Sequence, residues 1–534
     1  MRRSVKNYLC VLLLVSSLYF MGMTYLRAEE TRSRLIRIER TEDVRLPVGW
    51  YLLTGFEGLL IAADVFYLAA SKGNKKTFKE TMDSVPVRVI AGSSVVAGAA
   101  GGVMLSVALI GAMPEMELPQ LALPEEKVAD APAVEEQEPE YVFPVPELPE
   151  VLPVTNLSGQ AHGLLSYSDA QDVNESAQSD QSGQSVVLAE PGAQVSLISS
   201  QFAKTGDSEN IDDTLAYGLN ADVFVRENAA ANILGSRLTT AAAGAPGAVS
   251  NGDGSALSMS DSSISTSGDY SPAVMALFHG SLSAGNDQLS TSGSLSPVVV
   301  AQTNGTAAVN GGSLGAYGAQ SPLLYGDGLF DLTSVYGTAP NSSVMDLKAG
   351  AQVSLTSTTV SSAGLSEQGK EGAIYVDGHT DSDRPKKTVI NLVSDSISTA
   401  QAVNGEIPIP LFHIFGGQTE IHLSQCALRT ASNLFGFIQT GQVDMTFDAQ
   451  SGYGSYIIDQ TGILNLSLLN GSSYAGLINA EDTGAEINIH IDSTSTLSLN
   501  GDIYVTSLSD DVSDYSNIAF NGYMIYVQGT PLIQ

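Results

Sequence analysis

Apolar and polar residues in the segment 256–330 follow a pattern that repeats at a period of about 25 residues. Each repeat contains a Ser-Pro pair in the same column, so that Pro272, Pro297 and Pro322 are evenly spaced. Self-similarity at such a period is typical of a solenoid, in which one coil buries its apolar face only by stacking on its neighbours. The segment therefore predicts a stack of similar coils.

Within each repeat, two apolar residues lie two positions apart, and a third follows seven positions after the first. These sets are Leu257, Met259, Ile264; Leu282, Ala284, Leu289; and Ala307, Val309, Leu314. Alternation at period two predicts strands and excludes helices. The same seven-residue step recurs at Val195/Phe202, Val353/Val360, Ile390/Ile397 and Ile421/Leu428. Seven coils therefore share one register.

Two features refine this picture of stacked strands. Proline has no N–H group for a sheet ladder, so the three stacked prolines should line a corner of the coil. The Ala- and Gly-rich segment 229–248 interrupts the pattern, and we expect it to leave the coil as an excursion. The resulting fold class is all-β, a right-handed parallel β-helix over residues 154–534, preceded by N-terminal transmembrane helices.

Composition narrows the classes of function. The chain has 534 residues and a net charge of −33, although only 15% of its residues are charged. Such an acidic chain is not expected to bind nucleic acid, whose phosphates require basic surfaces. Its two cysteines, Cys10 and Cys426, offer no disulfide or zinc framework.

Hydropathy divides residues 1–153 into a membrane part and a spacer. Residues 1–28 begin with basic residues and continue with an apolar run, as in a signal peptide or signal anchor. In the membrane region 29–113, the apolar stretches 48–70 and 89–113 are long enough to cross a bilayer and predict a helical hairpin. Residues 114–153 are rich in Pro and Glu and predict an extended stalk.

Charge around the hairpin predicts its orientation. The loop 72–88 is basic, which places it in the cytoplasm and the β-helix outside the cytoplasm. Six arginines in 27–46 oppose this orientation, since they would also lie outside. The first apolar stretch of the hairpin carries Glu57 and Asp64, and carboxylates in a membrane suggest an ion or proton relay. We favour the alternative that both face serines of the second stretch or water.

The closing segment 499–534 is similar to the last coils of bacterial surface-exposed parallel β-helix proteins. Together with the repeats, residues 154–534 resemble the broad pectin-lyase-like and autotransporter-passenger-like superfamily. The resemblance implies one of two roles. Some members are adhesin-like surface proteins, and others cleave acidic polysaccharides with carboxylates that hold Ca²⁺ and a basic residue that abstracts a proton.

One loop offers the residues that such an enzyme would need. Asp377, His379, Asp381, Asp383 and Arg384 could gather a cation such as Ca²⁺ or contact a glycan. Their spacing does not match the EF-hand loop, and no second cluster supports the site. We therefore favour a solvated loop of mutually compensating charges, with no metal, no cofactor and no catalytic residue.

The sequence thus predicts a membrane-tethered, cell-surface β-helix with an adhesin-like binding or structural role. Its partners would be the membrane and an extracellular glycan or surface protein. The alternative is a polysaccharide lyase or hydrolase on the same scaffold. A third hypothesis is a component of envelope assembly. A smooth Ser/Thr/Asn surface would favour the adhesin, and a cluster of acidic and basic side chains on one long face would favour the enzyme.

Overall fold

A computed structural model describes residues 156–364, 370–379, 386–400, 403–404 and 407–532. All described residues belong to one compact unit. The predicted signal segment, hairpin and stalk lie outside the described residues, as do Glu57 and Asp64. In the described part of the chain, no helix is long and apolar enough to span a bilayer.

The described residues form an all-β parallel solenoid of about 14 turns. Strands of successive coils pair in parallel along three faces of the stack. Face 1 begins with His162–Tyr167, Gln184–Ala189, Val223–Val225, Ala248–Asn251, Val274–Leu277, Val299–Gln302, Leu324–Gly326, Met345–Lys348 and Ile374–Asp377. Face 2 begins with Ala170–Val173, Gln194–Ile198, Ala230–Leu234, Ala256–Ser260, Ser281–Gly285, Thr306–Asn310, Leu329–Thr333, Gln352–Thr356 and Lys387–Val393.

Face 3 is a separate sheet of ten strands. Its strands are Ser176–Ser179, Gln201–Lys204, Arg237–Thr240, Ser263–Thr266, Gln288–Thr291, Ser313–Ala316, Tyr336–Ala339, Thr359–Ser362, Ser396–Thr399 and Ala427–Arg429. A short antiparallel pair, Val403–Asn404 with Ile407–Pro408, lies between the ninth and tenth coils.

The later coils are built differently, because single long strands bend from face 1 into face 2. These strands are Phe412–Ser424, Leu434–Asp448 and Ser451–Leu469. The final strands are Ser473–Ile478, Glu486–Ile491, Thr496–Leu499, Ile503–Val505, Ser507–Asp510, Ile518–Ala519, Ile525–Val527 and Thr530–Pro531. The last of these pairs antiparallel with Ile525–Val527, which ends the parallel stack.

The predicted register of the core is confirmed. Ile264 pairs with Leu289, which pairs with Leu314, and all three are at most 2% exposed. The apolar partners two positions apart on face 2 are also buried, as for Leu257 and Met259. Alternate residues of each strand therefore point into one continuous apolar interior. The right-handed sense of the coil stays a prediction.

The predicted excursion at 229–248 is wrong. Ala230–Leu234 and Arg237–Thr240 form a regular coil that pairs with the coils on both sides. Small side chains do not prevent stacking, because Ala231 still fills an inward position between its neighbours. The Ala- and Gly-rich composition was therefore a poor indicator of a loop.

The predicted corner at the Ser-Pro column is confirmed, and the serines explain why it repeats. The backbone N–H of Ser271 donates to Ser296 Oγ at 2.9 Å, and the N–H of Ser296 donates to Ser321 Oγ at 3.0 Å. Each serine hydroxyl thus satisfies a buried amide of the preceding coil, which an unpaired corner would leave without a partner. The prolines lie beside this ladder, where no amide donor is required.

One α-helix, Ile211–Tyr217, packs on the outside of face 1. The Asn210 side chain accepts from the Asp212 amide at its start, and Gly218 ends the helix with φ 75°. Its apolar residues contact outward-facing side chains of face 1, including Leu188, Phe224 and Val249. At these coils, face 1 is therefore buried by the apolar interior on its inner side and by the helix on its outer side.

Candidate functional site

The outer surface of face 1 carries polar and aromatic side chains in two columns. Parallel pairing aligns Tyr325, Asp346, Tyr375 and His413 in the first column. The second column runs from Lys348 through Asp377 to Phe415. Because the strands alternate, each of these residues faces away from the apolar interior. We call this set of seven residues, together with His379, the face 1 patch.

Much of the face 1 patch is nevertheless shielded from solvent. Tyr375 is 1% exposed and His413 is 2% exposed. His413 Nδ1 lies 2.8 Å from the carbonyl oxygen of Glu371, and its ring is edge-on to Tyr375 and stacked on Phe437. Burial lowers the pKa of His413, which favours the neutral imidazole with its proton on Nδ1. Tyr375 and His413 therefore form a packed base for the site.

Asp346 and Lys348 form an ion pair above this base. Lys348 Nζ lies 3.3 Å from Asp346 Oδ1. The Asp346 side chain is only 14% exposed, and the Lys348 side chain is 10% exposed. Burial raises the pKa of Asp346, and the nearby carboxylate of Asp377 raises it further. The ammonium groups of Lys348 and Lys370 lower the same pKa but do not cancel the effect of burial. Lys348 Nζ also lies 5.6 Å from the centre of the Tyr325 ring. This environment favours an acid that keeps its proton longer than an exposed aspartate does.

Two of the residues predicted from the sequence belong to this patch. Asp377 ends its strand, and its Oδ1 lies 2.9 Å from His379 Nδ1 and accepts the His379 amide at 3.2 Å. The His379 ring packs on Phe415 at 4.3 Å, although its side chain is 53% exposed. Asp377 and His379 are thus fixed by contacts with each other and with Phe415 of the next strand, whereas the sequence predicts a solvated loop.

The other predicted site residues, Asp381, Asp383 and Arg384, lie outside the described residues. Across the described ranges, no group of three or more His, Cys, Asp or Glu side chains is arranged to hold a metal ion. The two lysines that follow make separate contacts: Lys386 Nζ lies 3.4 Å from Asp327 Oδ2, and Lys387 pairs with Glu420 on face 2. Both lysines therefore pair with carboxylates outside the 377–387 loop, and the mutual compensation of charges within that loop stays a prediction.

Sequence reasoning missed Asp346, Lys348 and the position of His413. The segment Met345-Asp-Leu-Lys348 alternates apolar and charged residues, as an amphipathic strand does. Aligning it with Ile374-Tyr-Val-Asp377 would have placed Asp346 beside Tyr375 and Lys348 beside Asp377. The alignment was hidden because the interval from Asp346 to Tyr375 is 29 residues and departs from the period of 25.

Face 3 presents a different surface, which we call the face 3 array. Its outward positions form one column of Ser176, Gln201, Arg237, Ser263, Gln288, Ser313, Tyr336, Thr359, Ser396 and Ala427. The second column is Gln178, Ala203, Thr239, Ser265, Ser290, Gly315, Thr338, Ser361, Ser398 and Arg429. Neither column contains a carboxylate, and the array has two arginines, Arg237 in the first column on the third strand and Arg429 in the second column on the tenth strand.

Comparison with known proteins adds no assignment: no family model, no curated protein and no solved structure matches this chain.

Proposed function

We propose that this protein is a membrane-tethered, cell-surface β-solenoid of a bacterial envelope with an adhesin-like binding role. The observation that carries the proposal is the face 3 array. It extends over ten coils without a carboxylate, although the chain has a net charge of −33. A surface that an acidic protein keeps free of negative charge can approach an acidic cell surface or glycan without repulsion.

The chemistry of the face 3 array suits a polysaccharide. Hydroxyl and amide groups recur about 4.8 Å apart along the stack and can form hydrogen bonds with the hydroxyls of an extended glycan. Tyr336 is 69% exposed at the middle of the array, where its ring can pack against a sugar face. Each of these contacts is weak, but many of them together along the array would give a specific interaction.

Binding to glycans tests this proposal. Purified protein should bind at least one surface or host polysaccharide on a glycan array, and Tyr336→Ala should weaken that binding about tenfold or more. Thr338→Arg, on the neighbouring outward position, should alter the salt dependence of binding. The matched control Ser283→Arg places the same charge outward on face 2, and it should leave binding unchanged. Equal effects of the two arginine variants would contradict a role for face 3.

The tethering and orientation are tested by protease accessibility. Protease added to intact cells, or to spheroplasts where an outer membrane shields the protein, should cut within 114–153 and release a compact fragment. Extended Pro- and Glu-rich backbone offers cleavage sites, whereas stacked coils do not. If the fragment is protected in intact spheroplasts and cut only after lysis, the β-solenoid lies in the cytoplasm and the surface role fails.

A polysaccharide hydrolase or lyase is the second candidate, because the face 1 patch holds two carboxylates in different environments. Asp346 is buried with a raised pKa, while Asp377 contacts His379. Strand spacing places their Cα atoms about 8 Å apart. Carboxyl groups of inverting glycosidases are roughly 6.5–9.5 Å apart, with one group protonated and the other ionised.

Assays of cleavage distinguish the two candidates. We expect no release of reducing or unsaturated sugar from acidic polysaccharides, with or without added Ca²⁺, because the ion pair with Lys348 favours the ionised form of Asp346, which cannot donate the proton that hydrolysis requires. Cleavage that disappears in Asp346→Asn would instead establish the hydrolase. Cleavage that requires Ca²⁺ and disappears in Asp381→Ala or Arg384→Ala would establish the lyase.

A further inference from the structure

A lysine occupies the interior of the solenoid near its N-terminal end. Lys204 is the last residue of its face 3 strand and is fully buried. Strand pairing places it between Ser179 and Thr240, so the column otherwise contains small hydroxyl side chains. Lys204 Nζ donates to the carbonyl oxygens of Gln181 at 2.7 Å and Gly206 at 2.6 Å. Its amine is therefore held in one place by the backbone.

The next coil brings an amide and a carboxyl group to the same place. Asn220 is 2% exposed, and its Nδ2 donates to the carbonyl oxygens of Gly206 at 3.1 Å and Gly244 at 3.0 Å. Lys204 Nζ and Asn220 Nδ2 therefore converge on one acceptor, the Gly206 carbonyl. Asp222, two residues further on, is fully buried.

Three buried oxygens at this point have no hydrogen-bond donor among the described residues: Asn220 Oδ1, Asp222 Oδ1 and Asp222 Oδ2. The Thr239 amide lies near the Asp222 carboxyl without reaching it in hydrogen-bond geometry. Burial raises the pKa of Asp222 well above its usual range, and the Thr239 amide and Lys204 oppose this. Burial likewise lowers the pKa of Lys204. Burial therefore shifts both groups toward their uncharged forms, the amine and the carboxylic acid.

We propose that Lys204 and Asn220 join in an intramolecular isopeptide bond, with Asp222 as the proton donor and acceptor of the reaction. The geometry that carries the proposal is the shared Gly206 carbonyl together with the three unpaired oxygens. A buried polar cluster whose acceptors lack donors is costly for a purely structural role.

The reaction balances without any other reactant. The lone pair of Lys204 Nζ attacks Asn220 Cγ while the Asp222 carboxyl protonates Oδ1. The Asp222 carboxylate then takes a proton from Nζ and delivers it to Nδ2, and Oδ1 returns its proton to Asp222 as the carbonyl re-forms. The Cγ–Nδ2 bond breaks, ammonia leaves, and the Cγ–Nζ amide remains; nothing is oxidised or reduced.

Such a bond would close the loop that carries the helix Ile211–Tyr217 and link the second coil to the third. A covalent closure restricts the unfolded chain, as a disulfide does. Neither cysteine of this chain, Cys10 or Cys426, lies in this region. The bond would therefore stabilise the end of the solenoid nearest the predicted stalk.

Peptide mass spectrometry of the full-length protein tests the proposal. Cleavage after glutamate, which does not occur at the Glu190-Pro191 bond, separates residues 176–209 from residues 210–227 in an unlinked chain. We expect the two peptides to appear joined, with a mass lower than their sum by one ammonia. Recovery of two separate, unmodified peptides from folded protein would overturn the proposal. A joined product short by one water would instead identify Asp222 as the linked residue and overturn the assignment to Asn220.

Variants test the role of each residue. Asp222→Asn keeps the shape of the side chain and removes the acid, so the joined peptide should be lost. Lys204→Met should also abolish it. The matched control Asp212→Asn changes an exposed carboxylate of the nearby helix and should keep the joined peptide. A link that persists in Asp222→Asn would contradict the role of Asp222.

Discussion

Ile264→Asp should destabilise the solenoid by more than about 4 kcal/mol. Ile264 is 1% exposed and stacks between Leu238 and Leu289 on the neighbouring coils. The aspartate would place an unpaired carboxylate in an apolar interior that continues through the adjoining coils. Thermal and denaturant unfolding of the purified 154–534 fragment, followed by circular dichroism, measures the loss.

The control is the adjacent substitution Ser265→Asp. Ser265 points outward on the same strand and is exposed, so its carboxylate stays in water. We expect a change within about 0.5 kcal/mol. Similar losses for the two variants would show that the alternation of inward and outward positions is wrong, whereas the core explanation requires a large difference.

Gly293→Ala should destabilise the protein by about 3 kcal/mol or more. Gly268, Gly293 and Gly318 stack in one column, one residue per repeat, at the same corner as the Ser-Pro pairs. A β-carbon at Gly293 would overlap the carbonyl oxygen of Gly268 on the preceding coil. The obstacle is backbone, so it can be relieved only by shifting one coil relative to the next, which weakens the ladder on both sides.

Gly285→Ala is the matched control for this effect. Gly285 belongs to the same coil, and the nearest atom to its new β-carbon would be the Met259 carbonyl oxygen at an ordinary 3.7 Å. Alanine also suits a strand better than glycine does. We expect unfolding of Gly285→Ala at or above the wild-type midpoint. A comparable loss in both variants would point to a general intolerance of the coil and not to the close approach at Gly293.

The regular repeats were the easiest part of the fold to predict. Ile264, Leu289 and Leu314 recur at one period, and strands expose alternate residues to the core, so the inward rows could be read directly. The role of the serines in the Ser-Pro column was not predicted, although the column itself was visible. A hydroxyl that caps an amide on the preceding coil has no signature within its own coil.

The face 1 patch shows why the site was predicted only in part. Asp377 and His379 are two residues apart, so their contact follows from local geometry. Asp346 lies 31 positions before Asp377, with the strands Gln352–Thr356 and Thr359–Ser362 between them. Their relation depends on the register of the strands Met345–Lys348 and Ile374–Asp377 on face 1. A register cannot be counted from the sequence where the period changes.

Some features of this protein therefore follow from its sequence alone, and others depend on its tertiary structure. The sequence by itself determined the all-β solenoid class, the inward rows and the corner prolines, because these depend on periodicities of two and about 25 residues. The tertiary structure decided that 229–248 is a coil, that His413 is buried, and that Lys204, Asn220 and Asp222 meet in the interior. Contacts between coils join residues that are distant in sequence, and only the stacked register brings such residues to one point.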